Sequence, residues 1–288
     1  MSWLNLLLLV VLSAIWGSSF IFMRILAPVL GPLATADLRL LIAGAFLVLL
    51  FAASGYKLGW RQNGRHFLII GLVNSAIPFF LYSFAALHIP ASLSVILNSL
   101  SPMFGAVFSA IWLRELLTVK KSAGIVLGIA GVGLIGSLGN FLARPLAVLA
   151  ALASVTAAML YALAGIYIKK YASVVPARAI AAGSQFSLGL LGLPLVFLFP
   201  PTAHVTLRLG VIVVVFAVLC SALAYLIYYK LIAEAGPTKA LTVTFLMPAF
   251  GMAWGRLILG EAITTAMLAG TVLILCGTWL IVAKKSSG

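Results

Sequence analysis

The sequence predicts an all-α integral membrane protein, with ten transmembrane helices arranged as an inverted repeat of five and five. Three observations lead there. Hydrophobic residues make up 64% of the 288 residues and charged residues only 8%, too few to build a water-facing surface. Long apolar runs follow one another, with the charges held in short gaps. One long stretch also recurs. Ala91–Glu115, ASLSVILNSLSPMFGAVFSAIWLRE, shares its skeleton with Pro237–Glu261, PTKALTVTFLMPAFGMAWGRLILGE, at an offset of 146. Pro102 then falls on Pro248, Phe104 on Phe250, Gly105 on Gly251 and Glu115 on Glu261.

A helix needs ~20 apolar residues to cross a bilayer. That rule places spans at about 3–26, 32–54, 66–88, 91–113, 121–138, 145–168, 176–199, 208–231, 237–259 and 265–283. The first is a span and not a cleavable signal: no basic residue precedes it, and its run exceeds the ~7–15 residues of a signal core. Gly, Pro and Ser mark the gaps at 27–32, Gly55–Gly64, 88–91, 199–201 and Gly236-Pro237. No gap is long enough for a soluble catalytic or nucleotide-binding module. Residues 68–136 map onto 214–282 without a gap, pairing Ser75 with Ser221, Tyr82 with Tyr228 and Gly124 with Gly270. The repeat divides the chain into 1–140 and 141–288. Five spans per half turn the second half upside-down relative to the first.

The net charge of +14 is spread over many loops instead of one face, so no nucleic-acid partner is expected. Of the 18 Lys and Arg, only Arg24, Arg39, Arg144, Arg208 and Arg256 fall on the side opposite the termini. The excess puts both termini in the cytoplasm. The four acids, Asp37, Glu115, Glu234 and Glu261, lie near span ends, as do His66, His88 and His204. The interior is therefore expected to be neutral, with Glu115 and Glu261 paired to basic residues at helix ends. Cys220 and Cys276 lie in apolar segments and read as packing residues. No nucleophile–base pair and no HExxH are present, so neither catalysis nor a metal or other cofactor is expected.

Two proline-interrupted spans in matching places point to a transport site at the interface of the repeats. Pro102 and Pro248 each lie about eleven residues into their spans. A proline removes a backbone donor and clashes with the carbonyl four residues back. The free carbonyl is tolerated only against protein or a wet cavity; a static kink is the alternative.

Polar and aromatic faces surround them. Ser94, Asn98 and Ser101 share a face, and Thr244 is the counterpart of Asn98. Asn74, Pro78 and Tyr82 recur every four residues, and Ser221, Tyr225 and Tyr228 do much the same. The first span offers Trp16 and Ser19 within TrpGlySerSerPhe, and the sixth offers Tyr161. Two readings stay open: these faces line one cavity between spans 1, 3, 4, 6, 8 and 9, or they hydrogen-bond between helices at ~0.6 kcal/mol each. Gly124, Gly128, Gly131 and Gly136, with Gly270 and Gly277, make spans five and ten packing or dimerising helices.

These features together resemble the drug/metabolite transporter superfamily, EamA type. The residues that carry the resemblance are TrpGlySerSerPhe of the first span and the Pro–x–Phe–Gly…Glu of spans four and nine. Within the group the chain looks most like the bacterial aromatic amino acid exporters. The resemblance implies an inner-membrane carrier, monomeric or weakly dimeric, that moves small molecules outward by alternating access, amino acids first among them. Trp16, Tyr82, Tyr161, Tyr225 and Tyr228 suit a substrate ring, which can stack on or edge against another. Other metabolites and drugs, purines and nucleotide sugars included, are the alternative cargo. Phosphorylated cargo ranks low, because no Arg or Lys is expected at mid-depth.

Overall fold

The computed structural model describes residues 2–137, 143–201 and 206–282. His204, read as interfacial, and Lys284 and Lys285, counted with the terminal side, lie outside them. Among the described residues all regular structure is helical. Eight helices among the described residues are long and apolar enough to cross a membrane. They are α1 (Trp3–Ala53), α2 (Trp60–His88), α3 (Ala91–Trp112), α4 (Val119–Ser137), α5 (Pro145–Tyr171), α6 (Ala177–Leu198), α7 (Leu207–Ala235) and, after the shorter α8 (Val243–Leu259), α9 (Thr265–Val282).

At ~1.5 Å per residue, the 51 residues of α1 would reach ~75 Å, far beyond a ~30 Å hydrocarbon core. The helix is in fact two limbs. Gly31 leaves helical geometry at φ 78° and ψ 159°, which glycine adopts without a Cβ penalty. The predicted gap at 27–32 is thus narrower than expected. Helix runs through residue 30, and Pro32 opens the second limb, where a missing donor costs little.

Close packing rests on glycine. In the first limb of α1, Gly17 lies against Met247, Phe250 and Gly251 of α8. In the second limb, Gly44 lies on the backbone of Gln185 and Phe186 in α6. Gly124 and Gly131 of α4 face the backbones of Gly277 and Gly270 in α9. The glycines of these two helices therefore let them approach each other within one chain.

The two prolines do not produce twin breaks. In α3 the helix opens at Ser99 and Leu100, ahead of Pro102, which starts the next segment. Two hydroxyls cover the carbonyls there: Ser101 Oγ donates to Asn98 at 2.8 Å and Thr278 Oγ1 of α9 donates to Ser99 at 3.3 Å. In the second copy α8 runs unbroken through Pro248, and the interruption sits earlier, at Leu241 and Thr242. The offset explains the difference. Ser101 corresponds to Met247 and Thr278 to Val132, so both covering hydroxyls are missing.

A second pair of irregularities does obey the repeat. α2 contains a π-helical turn at Leu72–Ala76 and α7 another at Val218–Leu223, starting 146 residues apart. Pro78 follows the first turn, whereas the equivalent position in α7 is Ala224. The wide turn therefore does not depend on a proline. Such turns are frequent at functional sites.

Glu115 behaves as expected, bonding Lys169 at 2.8 Å and approaching Lys121 at 3.6 Å. The hydrogen bond from Lys169, with the charge of both lysines, holds its carboxyl below the usual range. Glu261 corrects the expectation of a basic partner. Its carboxylate accepts the backbone N–H groups of Ala91 at 2.7 Å and Ser92 at 3.0 Å, and also the Ser92 hydroxyl. The first N–H groups of a helix lack intrahelical partners and carry partial positive charge. Pro90, at the cap position, offers no side-chain bond, so Glu261 supplies it from the other half.

Thermal unfolding in detergent checks this assignment. Glu261→Ala strips three bonds from the start of α3 and is expected to cost ~1–3 kcal/mol. Glu115→Ala loses only an exposed pair worth ~0–1 kcal/mol. Because the Glu115 carboxyl is held low, its contribution is full at neutral pH and fades as pH falls through that lowered pKa. Wild type and E115A should converge in acid; equal losses for both variants at pH 7 would contradict the cap.

Candidate functional site

Aromatic side chains from both halves meet between α1, α2, α5 and α7. Trp16 of α1 packs against Tyr225, with centroids 6.1 Å apart, and Tyr228, at 5.2 Å. Tyr82 of α2 receives Phe20 edge-on at 5.1 Å and stacks with Tyr161 of α5 at 6.1 Å. The polar partners follow the rings. Tyr82 donates its hydroxyl to Asn98 Oδ1 at 2.8 Å, and Asn74 Nδ2 donates to the Tyr225 hydroxyl at 3.3 Å.

The members of the cluster differ in exposure. Tyr82 is 1% exposed and Ser221 fully buried, while Trp16, Asn74, Asn98, Tyr161, Tyr225 and Tyr228 are half-buried. Tyr161 and Tyr225 thus keep part of their surface accessible. Two grooves, of about 620 and 760 Å³, lie elsewhere, along α6. Leu, Phe, Pro and Gly line them, with no polar side chain to orient a ligand.

The helix irregularities aim several of these groups. Asn74 and Ser221 lie in the two π turns. Pro78 is buried at the start of the α-helical segment that follows the first turn. Ser19 is buried and lies beside Cys220. Pro102 is half-buried at the head of the second α3 segment, and Pro248 is buried within α8. Thr244 does not join the group. Its hydroxyl turns back to the Leu241 carbonyl at 2.8 Å, while its counterpart Asn98 holds Tyr82.

Charge is where the structure departs most from the sequence reading. Arg39, counted with the charges on the side opposite the termini, is 5% exposed. Its Nε donates to Ser221 Oγ at 2.8 Å and its Nη2 to the Cys220 carbonyl at 3.3 Å, both in the π turn of α7. Phe79 and Phe216 cover the guanidinium, with centroids 3.7 and 4.6 Å away. Asp37, also read as lying near a span end, is 4% exposed and packs against Gly192 of α6.

The interior is therefore not neutral, and an Arg does lie within it. The physical reason is reach. Arg39 sits eight residues past Gly31, about 12 Å down the second limb, and its long side chain extends further. A basic residue amid the apolar run of the second span was the available signal.

Comparison with known proteins follows the same lines. The model of the EamA-like transporter family matches twice, over residues 3–137 and 148–283. The chain is 27% identical to the uncharacterized transporter YvbV of Bacillus subtilis, over 98% of this chain and 92% of that one. It is also 27% identical to a probable amino-acid metabolite efflux pump of Salmonella typhimurium, over 92% and 90%. A solved crystal structure shares the fold with a TM-score of 0.68 at 19% identity, covering 97% of this chain and 96% of its own.

A double-mutant cycle on Tyr82→Phe and Asn98→Ala tests the geometry. A buried hydrogen bond predicts a coupling of ~0.5–1.5 kcal/mol in thermal unfolding. Strict additivity would separate the two side chains.

Proposed function

Because the chain belongs to the EamA-like transporter family, and is a multi-pass membrane transporter and not an enzyme, we propose that it exports neutral amino acids, aromatic ones included, by alternating access. The observation that carries this reading is the ring cluster. Trp16, Tyr82, Tyr161, Tyr225 and Tyr228 come from both halves and meet between α1, α2, α5 and α7, with Asn74 and Asn98 at their edges. An aromatic substrate entering there finds faces and edges to pack on and amides to orient its polar end. The name of the Salmonella relative points to the same cargo class.

The proposed architecture is ten spans. The two limbs of α1 with α2, α3 and α4 form one copy, within 1–140; α5 to α9 form the other, within 141–288. Five spans per copy invert the second relative to the first. Reciprocal packing supports this, since the first limb of α1 meets α8 as α5 meets α3. Both termini are assigned to the cytoplasm of a bacterial inner membrane. With Arg39 drawn into the interior, the opposite side keeps only Arg24, Arg144 and Arg208 with Arg256, which strengthens the asymmetry. The glycines of α4 and α9 already face each other within one chain, which favours a monomer.

Two grounds support assigning Trp16, Ser19, Asn74, Pro78, Tyr82, Asn98, Pro102, Tyr161, Ser221, Tyr225, Tyr228 and Pro248 to this site: contact with the cluster or its neighbours, or shaping the helix that carries a contact. Thr244 is retained only as a neighbour of the α8 interruption. Arg39 is added.

Counterflow of labelled phenylalanine into proteoliposomes tests the reading. Saturable uptake is expected, and Trp16→Ala should raise the half-saturation concentration about tenfold, the size of one or two ring contacts. Absence of saturable exchange for every amino acid tried would overturn it.

A further inference from the structure

We infer that Arg39 anchors the carboxylate of the transported amino acid, an assignment that rests on the export reading above. A buried guanidinium is costly unless its charge is compensated. Among the described residues no carboxylate lies within ion-pair distance of Arg39, since every ion pair there is made by a lysine. Asp37 is two residues away in sequence, but its carboxylate lies against Gly192 of α6. The partners of Arg39 are a hydroxyl, a carbonyl and two rings, and none is an anion.

The geometry leaves one direction for the missing partner. Phe79 and Phe216 occupy positions over the guanidinium. Nε and Nη2 each make one bond, so two of the five N–H donors are engaged among the described residues. The Nη edge remains, and that edge is where a carboxylate binds in bidentate fashion. Tyr161 and Tyr225 lie within electrostatic reach of the guanidinium and keep part of their surface accessible. The free edge and the ring cluster thus meet at one stretch of α7, where Ser221, the partner of Nε, lies one turn before Tyr225.

One guanidinium matches one carboxylate. It also sets the specificity: the acid is held, and the amide or the decarboxylated amine is not.

Counterflow competition decides this without relying on one variant. In wild-type proteoliposomes, phenylalaninamide and phenylethylamine should compete with labelled phenylalanine at least tenfold more weakly than phenylalanine itself. Arg39→Gln should raise the half-saturation for phenylalanine at least tenfold and leave that of the amide unchanged, so that the discrimination disappears. Arg39→Lys, which keeps the charge but not the two-pronged edge, should fall between.

Wild-type protein that takes the amide as readily as the acid overturns the assignment. So does an Arg39→Gln protein that is less heat-stable yet keeps the acid-to-amide ratio, which marks a strut between α1 and α7. Should Arg39→Gln not fold, the wild-type competition and Arg39→Lys decide. Wild-type protein that moves no amino acid is a separate result and removes the export reading with it.

Discussion

A backbone surrounded by hydrocarbon must pair its own N–H and C=O groups, and this constraint organises the molecule. It accounts for the all-helical architecture of the described residues. It also makes each departure from regular helix informative, because every departure needs a partner. At Ser99 the partner is Thr278, arriving from the far end of the chain. At the start of α3 it is Glu261. At the π turn of α7 the Cys220 carbonyl and Ser221 hydroxyl meet Arg39. Irregular backbone and long-range polar contacts therefore occur at the same places, and most of those contacts cross between the two halves.

The interior cation is the second organising feature. Cation–π contacts contribute ~2 kcal/mol or more when desolvated, and two hydrogen bonds donated by the charged group add ~1.5–3 kcal/mol each. Because the donor is a cation, those two bonds are charge-assisted and stronger than neutral ones, yet they soften the cost of burying a guanidinium without cancelling its charge. The protein thus holds a positive group, braced by Phe79 and Phe216, at the edge of a ring-lined interior. Such an arrangement suits a carrier, whose interior must welcome a ligand in passing.

The two copies have diverged where their roles differ. Glu115 meets lysines at a rim, while Glu261 closes the start of α3. Ser101 and Thr278 cover a broken helix, while Met247 and Val132 leave its counterpart whole at Pro248. Asn98 reaches across to Tyr82, while Thr244 folds back on its own helix. Shared positions such as the π turns keep the frame, and the unshared side chains give one half different chemistry from the other.

The sequence alone determined the helical class, the positions of the apolar segments and the duplication. Those follow from local hydrophobic length and from identities at one fixed offset, and both are one-dimensional properties. It also singled out Trp16, Tyr82, Asn98, Tyr161, Tyr225 and Tyr228, because polar and aromatic side chains stand out in apolar text. Only the tertiary structure decided how these residues pair, that Thr244 is left aside, and that Arg39 and Asp37 lie inside. The reason is reach and partnership. A residue near the end of a span in sequence lies in the interior when its helix, its long side chain and the facing π turn converge, and no local pattern encodes that convergence.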